Sequence, residues 1–471
     1  MSADFAPGLE KAFELIPEEQ QGEVAVEGRL PDWLSGSYLG IGPARFRRGE
    51  MRYRHWLDGD GMVFRLCISA AGAQLTTRWL ASPKQVEEEA AGRFLYRTFG
   101  TSFEGDRLVR NVALATPVNV SVYPFAGKLL AFGEQGLPWE LDPTSLETLG
   151  EHTFERRLNH ISPFSAHPNF DPDNGEMVNF GISFATTEPT LTLYRFSADG
   201  QLIYRRRHAL DLPASVHDFS LSPRWAAVHV APYLLDMKAF LERGASVQEA
   251  LGWHPERGSR LWIFDRESGD LASVVPVGQG YCLHHINAFE QGENLVVDLL
   301  ELSEPVYPDY QPLPDLFVDV EPGRPVRLVV DPRAGRLLSR RELPFAQAAD
   351  FAAIDPHLAG KGYRWFWMLS VAHTGRNGRK FLDRLVRGDW QEGRLTEMYA
   401  PAPGRYLAAE PAFVAGLGST GVVLVPELDV ATMTTTFLLL DAFAEPGAAP
   451  LARLTAPKPM NLAFHTCWQA A

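Results

Sequence analysis

The feature that most restricts the fold is a turn that keeps returning. Short turns rich in Gly, Asp or Pro occur at Ser69–Gly72, Asp142–Leu146, Ser197–Gly200, Asp265–Gly269, Asp331–Gly335, Gly388–Gly393 and Asp441–Gly447. Each separates two apolar or alternating runs, as a hairpin loop does between antiparallel strands. Leu191–Phe196, Arg260–Phe264, Leu295–Leu300 and Val422–Val425 read as such strands. Helical periodicity is scarce, its best stretches being Pro83–Ala91 and Leu234–Leu251. The turns, about seven of them, are spaced by roughly 50–70 residues, too far apart for one hairpin and right for a unit of several strands. This predicts an all-β propeller with long insertions, Leu234–Leu251 being an insertion rather than part of a blade. No composition shift marks a boundary, so residues 1–471 are expected to form one domain.

Charge removes some classes of partner. With 44 basic and 58 acidic residues the formal net charge is −14. Nucleic acid is therefore not an expected partner, and neither is strong electrostatic attachment to anionic lipid. The three cysteines, Cys67, Cys282 and Cys467, form no pairing motif, which fits a reducing compartment. No secretory leader and no unbroken apolar span is visible, so a soluble, cytoplasmic protein is expected. A G-x-S-x-G elbow is missing as well, which leaves nucleophilic triad chemistry without support.

Among 13 histidines, position within the repeat sets four apart. His167, His217, His284 and His465 each follow a hairpin by roughly 17–25 residues, and Asp350 and Glu410 obey the same rule. In a propeller, a position near the start of each inner strand lies on the central axis, where residues remote in sequence converge. Four imidazoles there, with carboxylates to fix their tautomers through the second ring nitrogen, suit a borderline divalent metal with open coordination positions. Spacing alone equally allows a plugged axis in which buried His–Glu hydrogen bonds take the place of a metal.

Motifs narrow the choice. Gly28–Pro43 has the form of a distinctive opening strand, and His55-Trp-Leu-Asp-Gly-Asp-Gly-Met62 a distinctive turn. Gly133-Glu-Gln-Gly-Leu-Pro-Trp-Glu140 follows. Four histidine motifs complete the set: Ala166-His-Pro-Asn-Phe-Asp-Pro172, Val216-His-Asp-Phe-Ser220, Leu283-His-His-Ile-Asn-Ala-Phe-Glu290 and Ala463-Phe-His-Thr466. In this order and at these separations the chain resembles, over nearly its whole length, the carotenoid cleavage oxygenases. That family also includes the vertebrate retinoid isomerase and bacterial stilbene-cleaving enzymes.

The resemblance implies a seven-bladed propeller with short helical insertions capping its top face. It implies Fe(II) held by His167, His217, His284 (rather than His285) and His465, and cleavage of a C=C bond by dioxygen into two carbonyl products. Glu134 would orient His217, Asp350 His284 and Glu410 His465. Three positions depart from the family pattern. Asp350 stands for a longer Glu, so its contact to His284 is expected to be longer or water-bridged. Val120 stands where many members place a threonine beside the open iron position. Thr466 replaces the usual Gly after His465.

Stilbene cleavers carry a Lys where this chain has Gly133. An apolar carotenoid or apocarotenoid is therefore the expected substrate, with stilbenoid cleavage or retinoid-type isomerisation on the same iron as the alternative. A non-catalytic polyene-binding propeller is a third reading. Leu234, Leu235 and Phe240 fall in a region that touches membranes in relatives, and peripheral membrane contact is expected there.

Overall fold

The computed structural model describes residues 4–109, 113–184 and 188–471. Strands dominate, and five separate four-stranded antiparallel sheets follow one another along the chain. The first comprises Ser121–Phe125, Lys128–Phe132, Trp139–Leu141 and Thr148–Glu151, the second Asn169–Phe170, Met177–Ser183, Thr190–Phe196 and Leu202–Ala209. The third is built from Phe219–Leu221, Trp225–Val230, Ser259–Asp265 and Leu271–Gly278. The fourth holds Tyr281–Gln291, Asn294–Leu302, Gly323–Asp331 and Arg336–Glu342, and the fifth Ala348–Ala353, Trp365–Val371, Arg384–Asp389 and Arg394–Tyr399. First strands of successive sheets adjoin: Asn169–Phe170 meets Phe219–Leu221, which meets Tyr281–Gln291, which meets Ala348–Ala353. That is a propeller arrangement, with those strands innermost.

The blade number differs from expectation. There are five separate blades, not seven, and the remaining main strands form one ten-stranded sheet. The reason is the length of Gln20–Gly28, which bridges two sets of strands. Its first half, Gln20–Val24, pairs with Ala73–Thr77, while Ala25–Gly28 pairs with Ala452–Thr455. The last strand, Thr466–Ala470, pairs in turn with Gly36–Gly40. Both ends of the chain are thereby locked into the same sheet.

The recurring turn has a definite place. From the first blade to the fifth it joins the third strand to the outer one, as at Asp142, Asp265, Asp331 and Asp389. In each of these four turns a carboxylate oxygen accepts from two backbone N–H groups ahead of it, at 2.7–3.1 Å. A glycine such as Gly269 (φ 74°) or Gly335 (φ 64°) then takes the left-handed conformation that L side chains resist.

Packing lies between blades. In Trp225–Val230, Ala226 and Val228 face Phe180, Leu191 and Leu193 of the second blade. Trp225 and Ala227 on the other face meet Leu295, Val297 and Leu328 of the fourth. A strand buried on both faces has no polar side to show, hence its uninterrupted apolar run.

Leu234–Leu251 is an insertion, as expected, lying between the second and third strands of the third blade. It is not one helix. Tyr233–Leu235 pairs with Leu251–Trp253, and two short helices, Met237–Leu241 and Val247–Ala250, fill the loop. Asp236 and Ser246 cap them, and Gly244 (φ 73°) turns the chain between. Leu235 and Phe240 are buried at 6% and 4% exposure, so of the three residues expected at a membrane only Leu234 is half-exposed. Among the described residues no helix is long and apolar enough to cross a membrane.

Leu328 is fully buried between the third and fourth blades. Leu328→Ala is expected to destabilise the protein by about 2–5 kcal/mol, read as a lower urea midpoint.

Candidate metal centre

Each inner strand brings one residue to the axis at or near its start. Val120 immediately precedes Ser121–Phe125, and His167 comes just before Asn169–Phe170. His217 stands before Phe219–Leu221, His284 lies inside Tyr281–Gln291, and His465 abuts Thr466–Ala470. Asp350 lies within Ala348–Ala353, and Glu410 leads into Ala412–Ala415. The spacing from hairpin to histidine is thus the length of an outer strand plus the return to the axis.

His167, His217, His284 and His465 meet with one nitrogen each inside a 4.8 Å group. His167 Nε2 is 2.9 Å from His217 Nε2, which is 3.2 Å from His284 Nε2. Two nitrogens bound at right angles to one ion at about 2.1 Å would sit about 3.0 Å apart.

Each outward nitrogen faces a carboxylate, and two of the four are hydrogen-bonded to it. His217 Nδ1 donates to Glu134 Oε1 at 2.8 Å and His284 Nδ1 to Asp350 Oδ1 at 2.5 Å. His465 Nδ1 lies 3.3 Å from Glu410 Oε2, and His167 Nδ1 3.8 Å from Asp218 Oδ1. A proton held on Nδ1 of His217 and of His284 leaves Nε2 of each neutral ring free to ligate. A cation is what such a donor set fits.

Electrostatics point the same way. Burial pushes His465 down to about 3 and, helped by neighbouring imidazoles, holds His167 well below its usual range. Both are neutral and ready to ligate. For His217 burial also acts downward, but the charge and hydrogen bond of Glu134 prevail and raise it. Burial lifts Glu410 to about 8 and Asp218 to about 6 in the metal-free chain.

Three sequence expectations meet the structure in different ways. Asp350 reaches His284 directly, with no lengthened contact. The strand irregularity between Asp350 and Ala353, with Phe351 at φ 50°, turns the backbone inward and makes up for the missing methylene. His285, adjacent to His284, points elsewhere, its Nδ1 bonding to Ser220 Oγ. Val120 is buried, and its carbonyl accepts from the His465 backbone N–H at 3.2 Å.

Asp218 escaped the sequence reading. Beyond facing His167, its Oδ2 accepts from the His285 backbone N–H at 2.7 Å, tying two histidine motifs together. Its only signal was adjacency to His217. The cluster opens on one side into a cavity of about 110 Å³. Trp56, Phe99, Tyr281, Tyr307, Phe351 and Phe464 are among its walls, and loop order gave no sign that they would meet. Gly133 is packed too tightly for a side chain, since a Cβ there would lie 2.0 Å from Thr116 Cγ2.

Comparison with known proteins agrees with this picture. The sequence profile of the family described as retinal pigment epithelial membrane protein matches residues 13–470. The chain is 28% identical to the apocarotenoid-15,15'-oxygenase of Synechocystis sp., over 83% of this chain and 80% of that protein. It is 27% identical to isoeugenol monooxygenase of Pseudomonas putida, over 95% and 94% respectively. A solved structure of a point mutant of the Synechocystis apocarotenoid oxygenase superposes with a TM-score of 0.90 at 25% identity, covering 100% of both chains.

Two outcomes follow from the geometry. His284→Ala should strip most bound metal while circular dichroism stays native, whereas His285→Ala should keep it; metal analysis of both variants decides. Because Glu134 raises the pKa of His217 above the usual imidazole range, protons compete for it with the metal. Metal uptake by the apo-protein, followed by titration calorimetry, should weaken as pH falls through that pKa and be restored above it.

Proposed function

This chain belongs to the carotenoid cleavage oxygenase family, that of retinal pigment epithelial membrane protein, and on that premise we propose that it is a non-haem Fe(II) dioxygenase cleaving one C=C bond of a carotenoid or apocarotenoid. The observation that carries the reading is the set of four inward imidazole nitrogens, braced from behind by carboxylates, beside a cavity with aromatic walls. His167, His217, His284 and His465 would hold the iron, with Glu134, Asp350 and Glu410 orienting three of them and Asp218 facing the fourth. Bound iron would supply the redox chemistry by which dioxygen reacts with an alkene.

The reaction balances without further reagents: one C=C bond and O₂ give two C=O groups, and no proton is gained or lost overall. The protein therefore needs no general acid or base. Its own residues align four ring nitrogens, exclude water through Phe99, Phe351 and Phe464, and confine the alkene. Val120, buried beside His465 and lining the same cavity, offers no hydroxyl near the open position.

Gly133 favours a polyene over a hydroxylated stilbene. The space a Lys side chain would use there is occupied by Thr116, so a phenolic oxygen has no cation to meet at this point. Relatives named isoeugenol monooxygenase and resveratrol cleavage oxygenase keep a phenylpropanoid reading as the second choice. The chain is read as one functional unit, cytoplasmic, with peripheral bilayer contact at the Tyr233–Trp253 insertion. With Leu235 and Phe240 buried, that contact would run through half-buried Leu234, Met237 and Leu241.

The deciding experiment is anaerobic reconstitution with ferrous iron, followed by incubation with β-carotene, an apocarotenal and a stilbene under ¹⁸O₂. Labelled aldehydes from a polyene are expected, and from the iron-loaded protein alone. Cleavage of the stilbene only would select the second reading. An unlabelled isomer would instead indicate the isomerase alternative.

A further inference from the structure

Three polar atoms of the cavity wall have no hydrogen-bond partner among the described residues, and one of them is a histidine nitrogen. His55 is 3% exposed and lines the same cavity as His217, His284 and His465. Its Nδ1 accepts the Leu57 backbone N–H at 3.1 Å, as the cap of the short helix Trp56–Asp58. Nδ1 therefore carries the lone pair, and the ring proton sits on Nε2. Burial keeps the ring neutral, pushing its pKa down to about 3. Nε2 is buried and has no hydrogen-bond acceptor among the described residues.

A buried N–H without an acceptor is destabilising and is uncommon unless a ligand completes it. The surroundings show that it is held in place. Asp58 accepts from the His55 backbone N–H at 3.1 Å and from Gly100 N–H at 2.8 Å, fixing His55 against the loop that carries Phe99. The rings of Phe99, Tyr307 and Tyr310 lie 4.9, 5.7 and 5.9 Å from the imidazole. They offer flat walls for a conjugated group but no oxygen acceptor aimed at Nε2. Two other polar atoms of the lining are unpartnered, Trp56 Nε1 and Glu134 Oε2. Glu134 is an acceptor that already serves His217; of the two donors, Trp56 packs among Phe317, Phe381 and Phe464, whereas His55 stands against Phe99 and Tyr307 of the cavity lining.

We infer that His55 Nε2–H is a binding point for an oxygen of the substrate, so that the cavity selects a conjugated chain bearing a carbonyl or hydroxyl group over a pure hydrocarbon. This rests on the oxygenase reading and narrows it to an oxygen-bearing polyene. Hydrogen bonding of a substrate oxygen to a fixed buried donor discriminates strongly, because the analogue lacking it leaves the donor desolvated and unpaired. His55 acts here as a specificity residue; it takes no part in bond cleavage.

The test uses iron-loaded protein under anaerobic conditions, so that binding is read without turnover. Quenching of tryptophan fluorescence would follow two polyenes of equal length, one ending in an aldehyde and one in a methyl group. The wild type should bind the aldehyde about tenfold or more tightly. His55→Asn keeps an oxygen able to cap the Leu57 N–H, since Asn is a favoured N-cap, but lacks the Nε2 donor. In that variant the preference should fall to within about twofold. Equal binding of both polyenes by the wild type would overturn the inference, and so would full discrimination retained by His55→Asn. Should the variant not fold, the wild-type comparison alone decides. Binding of neither polyene by the wild type would sink the oxygenase reading, and with it this inference.

Discussion

Imidazole lone pairs facing one another at about 3 Å repel unless a cation lies between them, and this local demand governs the rest of the molecule. His217 and His284 have their Nδ1 protons drawn outward by Glu134 and Asp350, so their inner nitrogens are left bare by design of the surroundings. Burial lowers the proton affinity of His167 and His465. Two of the four ligands thus repel protons and stay open to a metal, while at His217, raised by Glu134, protons compete with it.

The propeller arrangement answers that demand with rigid elements. Ligands come from inner strands of different sheets, and beside them strands such as Trp225–Val230 are pinned by apolar packing on both faces. His465 sits close to the end of the chain, where fraying would be expected. Pairing of Thr466–Ala470 with Gly36–Gly40 prevents it, and the Thr466 backbone N–H donates to Glu410 at 3.0 Å. The Thr in place of Gly therefore does not loosen the final motif. Closure of the ring and completion of the metal site are one structural event.

Much of this was written in the linear chain. The turn that recurs at Asp142, Asp265, Asp331 and Asp389 is a local device, an Asx-type carboxylate accepting from N–H groups two and three residues on, so neighbouring residues suffice to specify it. The four histidines stood out because the distance from that turn to the axis is nearly constant. Blade number did not stand out in the same way. Whether Gln20–Gly28 pairs on one side or both depends on strands more than 400 residues apart, which no local signal reports.

What the sequence by itself determined, then, was an all-β repeating architecture and the identity of the residues on its axis, because turn chemistry and strand patterning act over a few neighbours. Tertiary structure alone decided the rest. It joined two strand sets into one ten-stranded sheet, let the shorter Asp350 reach His284 through a strand irregularity, and brought Asp218 behind His167. It also buried Leu235 and Phe240, and turned the free N–H of His55 into the cavity wall. Each of these depends on which remote segments come within a few ångströms of one another, and hydrogen bonding and burial are set by that proximity rather than by order along the chain.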